Sequence, residues 1–89
     1  MGVKVEKLSQ EALKKKGVFS WSVWEKDISR FNWQYDSVEE CYFLKGRVAL
    51  EMEGGGCVAF GEGDFVTFPR GLKCVWDIKE PVKQHYRFI

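Results

Sequence analysis

Apolar and polar residues alternate along most of this chain, and glycine, proline and small polar residues interrupt the alternation at short intervals. Val3 and Val5 alternate with Lys4 and Glu6, which predicts a short first strand. A helical stretch follows. Ser9 is a good N-cap, Gln10 to Lys16 are helix formers, and Gly17 supplies a left-handed stop, so a helix is expected over roughly residues 9–16. Strand character resumes from Val18 to Glu25, with Phe19, Trp21 and Val23 on one face and Trp24 on the other. Packing is the simpler role for Trp24, a lid over a pocket the alternative. Lys26 to Arg30 reads as a polar connection.

Phe31, Trp33 and Tyr35 then form a row of period two, which in an extended strand places all three on one face. Asp36 and Ser37 break the row, as short turn-forming residues do. Beyond them Glu39, Cys41 and Phe43 share a face opposite Tyr42 and Leu44, and Gly46 is read as a turn into Val48, Leu50 and Met52. Gly54, Gly55 and Gly56 make the most permissive backbone in the chain and predict a hairpin tip. They do not make a phosphate loop, because no helix and no Lys-Ser/Thr pair follows. Cys57 to Phe60 is the return strand, Gly61 to Asp64 a turn, Phe65 to Phe68 a strand and Pro69 to Gly71 another turn. Cys74, Trp76 and Ile78 alternate along the next strand, Lys79 to Pro81 is read as a turn, and Val82 to Ile89 as a closing strand. Eight or nine short strands at this spacing predict an all-β sandwich or small barrel with one short N-terminal helix.

Composition narrows the function classes. At 89 residues the chain predicts a single domain, 1–89, without linker or low-complexity tract. A chain of this size buries roughly 60–65% of its unfolded surface. A 16% share of aromatic residues helps so small a core. With 14 Lys plus Arg against 13 Asp plus Glu, there is no basic excess to bind nucleic acid. The run Lys14-Lys15-Lys16 sits where it favours a helix C-terminus. No apolar run approaches the roughly 18 residues of a membrane span, so no membrane partner is expected. No signal-peptide core is present, Glu6 occupies the position where myristoylation of Gly2 needs Ser or Thr, and a cytoplasmic location is expected, unless an import peptide has been removed. Cys41, Cys57 and Cys74 are odd in number and widely spaced, which suits a reducing compartment and gives no zinc knuckle or redox pair.

Two stretches carry a family resemblance. In the first, Trp33 and Tyr35 are separated from Glu39, and Glu39 from Gly46, with the spacing of the first cupin motif. In the second, Gly63, Pro69, Gly71 and Cys74 follow the spacing of the second motif. The chain therefore resembles the cupin superfamily, and more narrowly the short single-domain cupins similar to ureidoglycine aminohydrolase. The variant Trp-x-Tyr, the phrase Thr67 to Cys74 and the ending Glu80 to Tyr86 all resemble that group. The resemblance implies a double-stranded β-barrel (cupin or jelly roll), and a homodimer.

The resemblance also implies where a site lies. Cupins that hold metal use the motif positions occupied here by Trp33, Tyr35, Glu39 and Cys74. An indole cannot ligate, and Tyr35 ligates only as a phenolate. That leaves Glu39 and Cys74, fewer than the three protein ligands a metal centre needs, so no metal cofactor is expected. The same four residues are the candidate ligand-binding set. Aromatic walls with a carboxylate suit a small molecule with an amine, guanidine or ureido end. Alternatively they merely fill the barrel. Glu39 and Cys74 are the weak catalytic candidates. Cys74 as a nucleophile needs a base, and His85 is the single histidine. Three readings stand at this stage: a small-molecule-binding cupin, a hydrolase or aminohydrolase acting on a C–N bond, and a non-catalytic interaction module with a filled barrel.

Overall fold

In a computed structural model, which describes residues 2–89, two long bent strands carry the architecture. β4 (Glu39–Met52) and β7 (Lys73–Phe88) pair with each other antiparallel along nearly their whole length. Short strands flank them at both ends. β1 (Lys4–Glu6) pairs β6 (Phe65–Phe68), and β6 pairs the first residues of β4. β5 (Cys57–Gly61) pairs the far half of β4. β2 (Ser22–Lys26) pairs the C-terminal half of β7, and β3 (Ser29–Gln34) its N-terminal half. The main path runs β1-β6-β4-β7-β2, with β5 and β3 beside it. This is an all-β jelly-roll arrangement with one short helix.

The expected eight or nine strands are seven, because two residues read as turns lie inside strands. At Gly46, β4 does not reverse. The pairing with β7 loses one residue of register between Phe43 and Val48. The inward side chains change from Glu39, Cys41 and Phe43 to Val48 and Leu50, as a β-bulge requires. Gly46 has φ +106° and passes so close to Pro81 and Val82 that a side chain there would collide with β7. Pro81 likewise sits within β7. It occupies the short gap between Ile78, the last residue paired to β3, and Val82, the first paired to β2. Proline lacks a backbone donor and is tolerated where the ladder is already interrupted. The first strand prediction after the helix also needs correction. Val18–Ser20 forms a single 3-10 turn, and strand structure starts at Ser22. Ser29 and Arg30 belong to β3, so the predicted connection shortens to the residues between Lys26 and Ser29.

The local signals elsewhere act as expected. The helix α1 (Gln10–Lys16) is capped by Ser9, whose Oγ accepts from the Ala12 N–H at 3.1 Å, and Gly17 ends it in the left-handed region. Gly54, Gly55 and Gly56, all at positive φ, join β4 to β5.

The sheet curls around aromatic side chains. Phe60 from β5 and Phe68 from β6, paired to opposite halves of β4, bring their rings within 5.6 Å. Phe43 and Trp76 close the group, with Trp76 5.7 Å from Phe60 and 5.8 Å from Phe68. The barrel centre is therefore filled with rings. A smaller cluster lies on the outer face, where Leu13 and Val18 cover Phe65. Arg87 seals its edge, paired to Glu40 at 2.7 Å and lying over the Trp21 ring. Among the described residues no helix is long and apolar enough to cross a membrane.

Candidate functional site

On β7 the even-numbered side chains on both sides of the bend face the interior, whereas Glu80 beside Pro81 is exposed and pairs with Arg47. Cys74, Trp76, Ile78, Val82 and Gln84 are all buried on that side. β2 and β3 run one after the other along the two halves of β7, both antiparallel to it, and a hollow opens beside them on the inner face. It is a cavity of about 200 Å³. β2 contributes Trp24, β3 contributes Phe31 and Trp33, and Tyr35 follows just beyond. β4 contributes Glu39 at its first position, and β7 contributes Trp76, Gln84, Tyr86 and Phe88.

The walls are aromatic and braced against each other. Phe31 lies opposite Trp76 in the ladder and stacks on it at 6.0 Å, and Trp24 meets Trp76 edge-on at 5.9 Å. Tyr35 is buried and stacks on Phe68 at 4.7 Å. Trp33 stands edge-on to Tyr35 with about half its surface exposed, and Phe88 is exposed too, so these two form the rim. Trp24 thus lines the cavity instead of packing against the helix.

Three polar groups interrupt these walls. The Tyr35 hydroxyl accepts from Trp76 Nε1 at 3.1 Å. Burial holds the Tyr35 phenol far above its ordinary range, so it stays a neutral hydroxyl. The Glu39 carboxylate is only 7% exposed, and its Oε2 accepts from the Cys41 thiol at 3.2 Å. Burial raises the Glu39 pKa, and the thiol donor opposes part of that rise. From their place beside Glu39 in the sequence, the Tyr35 hydroxyl and the Trp33 N–H are the expected donors to its carboxylate. The structure instead uses Cys41, because the two residues follow each other on the inner face of β4, while the Tyr35 hydroxyl is turned to Trp76. The third group is Gln84, 3% exposed, whose Nε2 donates to the Cys41 sulfur at 3.4 Å. Its Oε1 is buried and finds no partner among the described residues.

Cys74 is placed apart from this cavity. It is buried inside the sheet opposite Trp33, with its sulfur 3.6 Å from the Trp33 carbonyl oxygen. Together with Trp33 it borders a shallower groove that also takes in Gln34, Met52 and Lys73. Burial pushes its thiol up to about 11, the opposite of what a nucleophile needs. His85 does not assist it. The two stand on opposite faces of β7, and His85 Nδ1 lies 3.1 Å from the Trp21 carbonyl oxygen under the 3-10 turn.

The donor set does not fit a metal ion. The Trp33 indole offers no lone pair, Tyr35 is held as a phenol, and Cys74 opens to a different hollow. Among the described residues no three His, Cys, Asp or Glu side chains come together in a way that would hold one. Of the four residues chosen from sequence, Trp33, Tyr35 and Glu39 line one cavity and Cys74 does not. Sequence reasoning missed Trp24, Trp76, Gln84, Tyr86 and Phe88. The alternation on β7 would have found Gln84, Tyr86 and Phe88, had Pro81 not been read as a turn, whereas Trp76 stood in the row with Cys74 and Ile78 and only the pairing of β3 with β7 sets it against Phe31.

Comparison with curated proteins finds no match. Residues 13–86 match the family model described as the EutQ-like cupin domain. Among solved structures, a DUF861 family protein from Thermotoga maritima is 45% identical, with a TM-score of 0.97 over 99% of this chain and 100% of that one. A second DUF861 protein, of unknown function, from Pseudomonas syringae is 26% identical, with a TM-score of 0.65 over 72% of this chain and 28% of that one. The EutQ protein of Clostridium difficile is 18% identical, with a TM-score of 0.65 over 94% of this chain and 64% of that one. That last likeness speaks for the fold alone.

Proposed function

This chain belongs to the EutQ-like cupin family, and on that footing we propose that its cavity binds a small organic metabolite through a cationic, N–H-donating end. One observation carries the reading. Glu39 is a carboxylate buried among aromatic rings, no basic residue lines the cavity, and among the described residues it makes no ion pair. A buried charge without a counter-charge costs several kcal/mol. A thiol is a weak donor and offsets little of that. A bound cation supplies the missing charge, and the faces of Trp24, Trp33 and Trp76 attract it further. The filled barrel centre makes this a pocket at the open end of the fold, suited to a compact ligand. Trp33 and Phe88 at the rim cover it from solvent.

Three of the four tryptophans line the cavity, so their fluorescence reports occupancy. Titration with n-butylammonium is expected to give a saturable change. Glu39→Gln keeps the shape and the acceptor for Cys41 but removes the charge, and should weaken the affinity at least about tenfold, as for a lost hydrogen bond to a charged group. A linear, non-saturating response of the native protein, or equal affinity in the variant, would overturn the reading.

A further inference from the structure

We propose that Gln84 is a specificity-determining residue of this same cavity: its side-chain carbonyl is a second acceptor, and it selects cations with several N–H donors, such as a guanidinium or primary ammonium, over quaternary ammonium ions. The inference rests on the binding role proposed above and adds the chemical class of the ligand's head.

The orientation of the Gln84 amide follows from a chain of hydrogen bonds across β4 and β7. Cys41 has one thiol proton, and it is committed to Glu39 Oε2 at 3.2 Å. The sulfur then has only lone pairs to offer its other neighbour. Gln84 therefore turns its NH2 to Cys41, at 3.4 Å, and the amide oxygen is left as the end the protein does not engage. A carboxamide oxygen buried without a partner is costly, and a side chain 3% exposed cannot turn to bulk water for one. Gln84 lines the cavity, so a donor on a bound ligand is the partner we assign to this oxygen.

The result is a wall with two acceptors of different charge, Glu39 and Gln84, on neighbouring strands and held apart by Cys41. A quaternary ammonium ion satisfies the aromatic faces and the charge of Glu39, but it has no N–H for Gln84. A guanidinium has N–H groups on more than one nitrogen and reaches both acceptors, while its flat face packs on the rings. Cys41 acts through Gln84 as a positioning residue: it never needs to touch the ligand.

The test is a fluorescence titration of the whole chain with methylguanidinium and with tetramethylammonium. The native protein should bind methylguanidinium about five- to tenfold more tightly, the scale of one hydrogen bond gained. Gln84→Met should remove that preference while leaving tetramethylammonium within about twofold of its native affinity. If Gln84→Met does not fold, a second pair decides. Cys41→Ser keeps a donor for Glu39 and an acceptor for Gln84 and should retain the preference, whereas Cys41→Ala frees the amide and should reduce it. Equal affinities for the two cations in the native protein, or a preference untouched by Gln84→Met and Cys41→Ala, overturn the role of Gln84 and leave the cation site standing. Binding of neither cation to the folded native protein overturns both.

Discussion

Replacing Gly46 with alanine probes the crossing that shapes the cavity. At this point β4 passes over β7 with φ +106°, and an added Cβ would stand 2.6 Å from the Pro81 carbonyl oxygen and 2.7 Å from Val82 Cα. Both are backbone atoms, so relief requires the whole bend of β7 to move. The left-handed backbone alone costs an L-residue about 1–2 kcal/mol. Overpacking against a fixed neighbour adds about 1–3 kcal/mol. The middle of both ranges is about 3.5 kcal/mol, a large part of the roughly 5–15 kcal/mol that holds such a domain folded. For a domain of this size each kcal/mol lowers the melting midpoint by about 4–8 °C, so Gly46→Ala should melt roughly 14–28 °C below the native chain. Gly54→Ala is the matched control. It has φ +88° but nothing within 4 Å of the added carbon, so it bears the conformational cost alone. Thermal unfolding followed by circular dichroism at neutral pH compares the three proteins directly. If Gly46→Ala melts no lower than Gly54→Ala, the close crossing is not a constraint and the account of β4 as one bent strand is wrong.

Two other outcomes follow from buried groups. The folded state raises the Glu39 pKa above the ordinary 4.5, so Glu39 adds stability at low pH that is lost as pH climbs through the raised value. Glu39→Gln, which never ionises, should therefore be more stable than the native chain at neutral pH, with the advantage vanishing below about pH 4.5 in a series of melts. An unchanged gap across that range would refute it. Of the cysteines, Cys57 is exposed, whereas Cys41 is fully buried and Cys74 nearly so, with its thiol pushed up to about 11. A thiol reagent at neutral pH should label Cys57 rapidly and the other two only after unfolding, and Cys57→Ser should abolish the rapid phase. Rapid labelling of Cys74 would show a reactive thiol open through its groove.

Much of this protein was legible along the chain because its causes are local. Ser9 and Gly17 bracket α1 through bonds made within a few residues. The glycines 54–56 turn a hairpin because only their backbones tolerate it. The motif spacing around Glu39, Pro69 and Gly71 carried the fold, and the period of two at Phe31, Trp33 and Tyr35 brought three cavity residues into view. What the sequence could not decide depends on partners distant in the chain. Gly46 and Pro81 look like turns because glycine and proline break local order wherever they stand. Only the crossing of β4 and β7 shows them to be bends within strands, and only that continuity carries the inward face on to Gln84 and Tyr86. The donor to Glu39 was expected to be the Tyr35 hydroxyl or the Trp33 indole, but pleat and packing bring the Cys41 thiol there instead. Cys74 fits the motif spacing and is buried as expected, yet its sulfur opens to another hollow, because the Trp33 side chain and the Trp33–Cys74 pairing stand between the two. Spacing along a strand determines which face a residue takes. Which cavity that face meets is determined by the curvature of the sheet, and this sheet takes its curvature from one bulge, one proline and four packed rings.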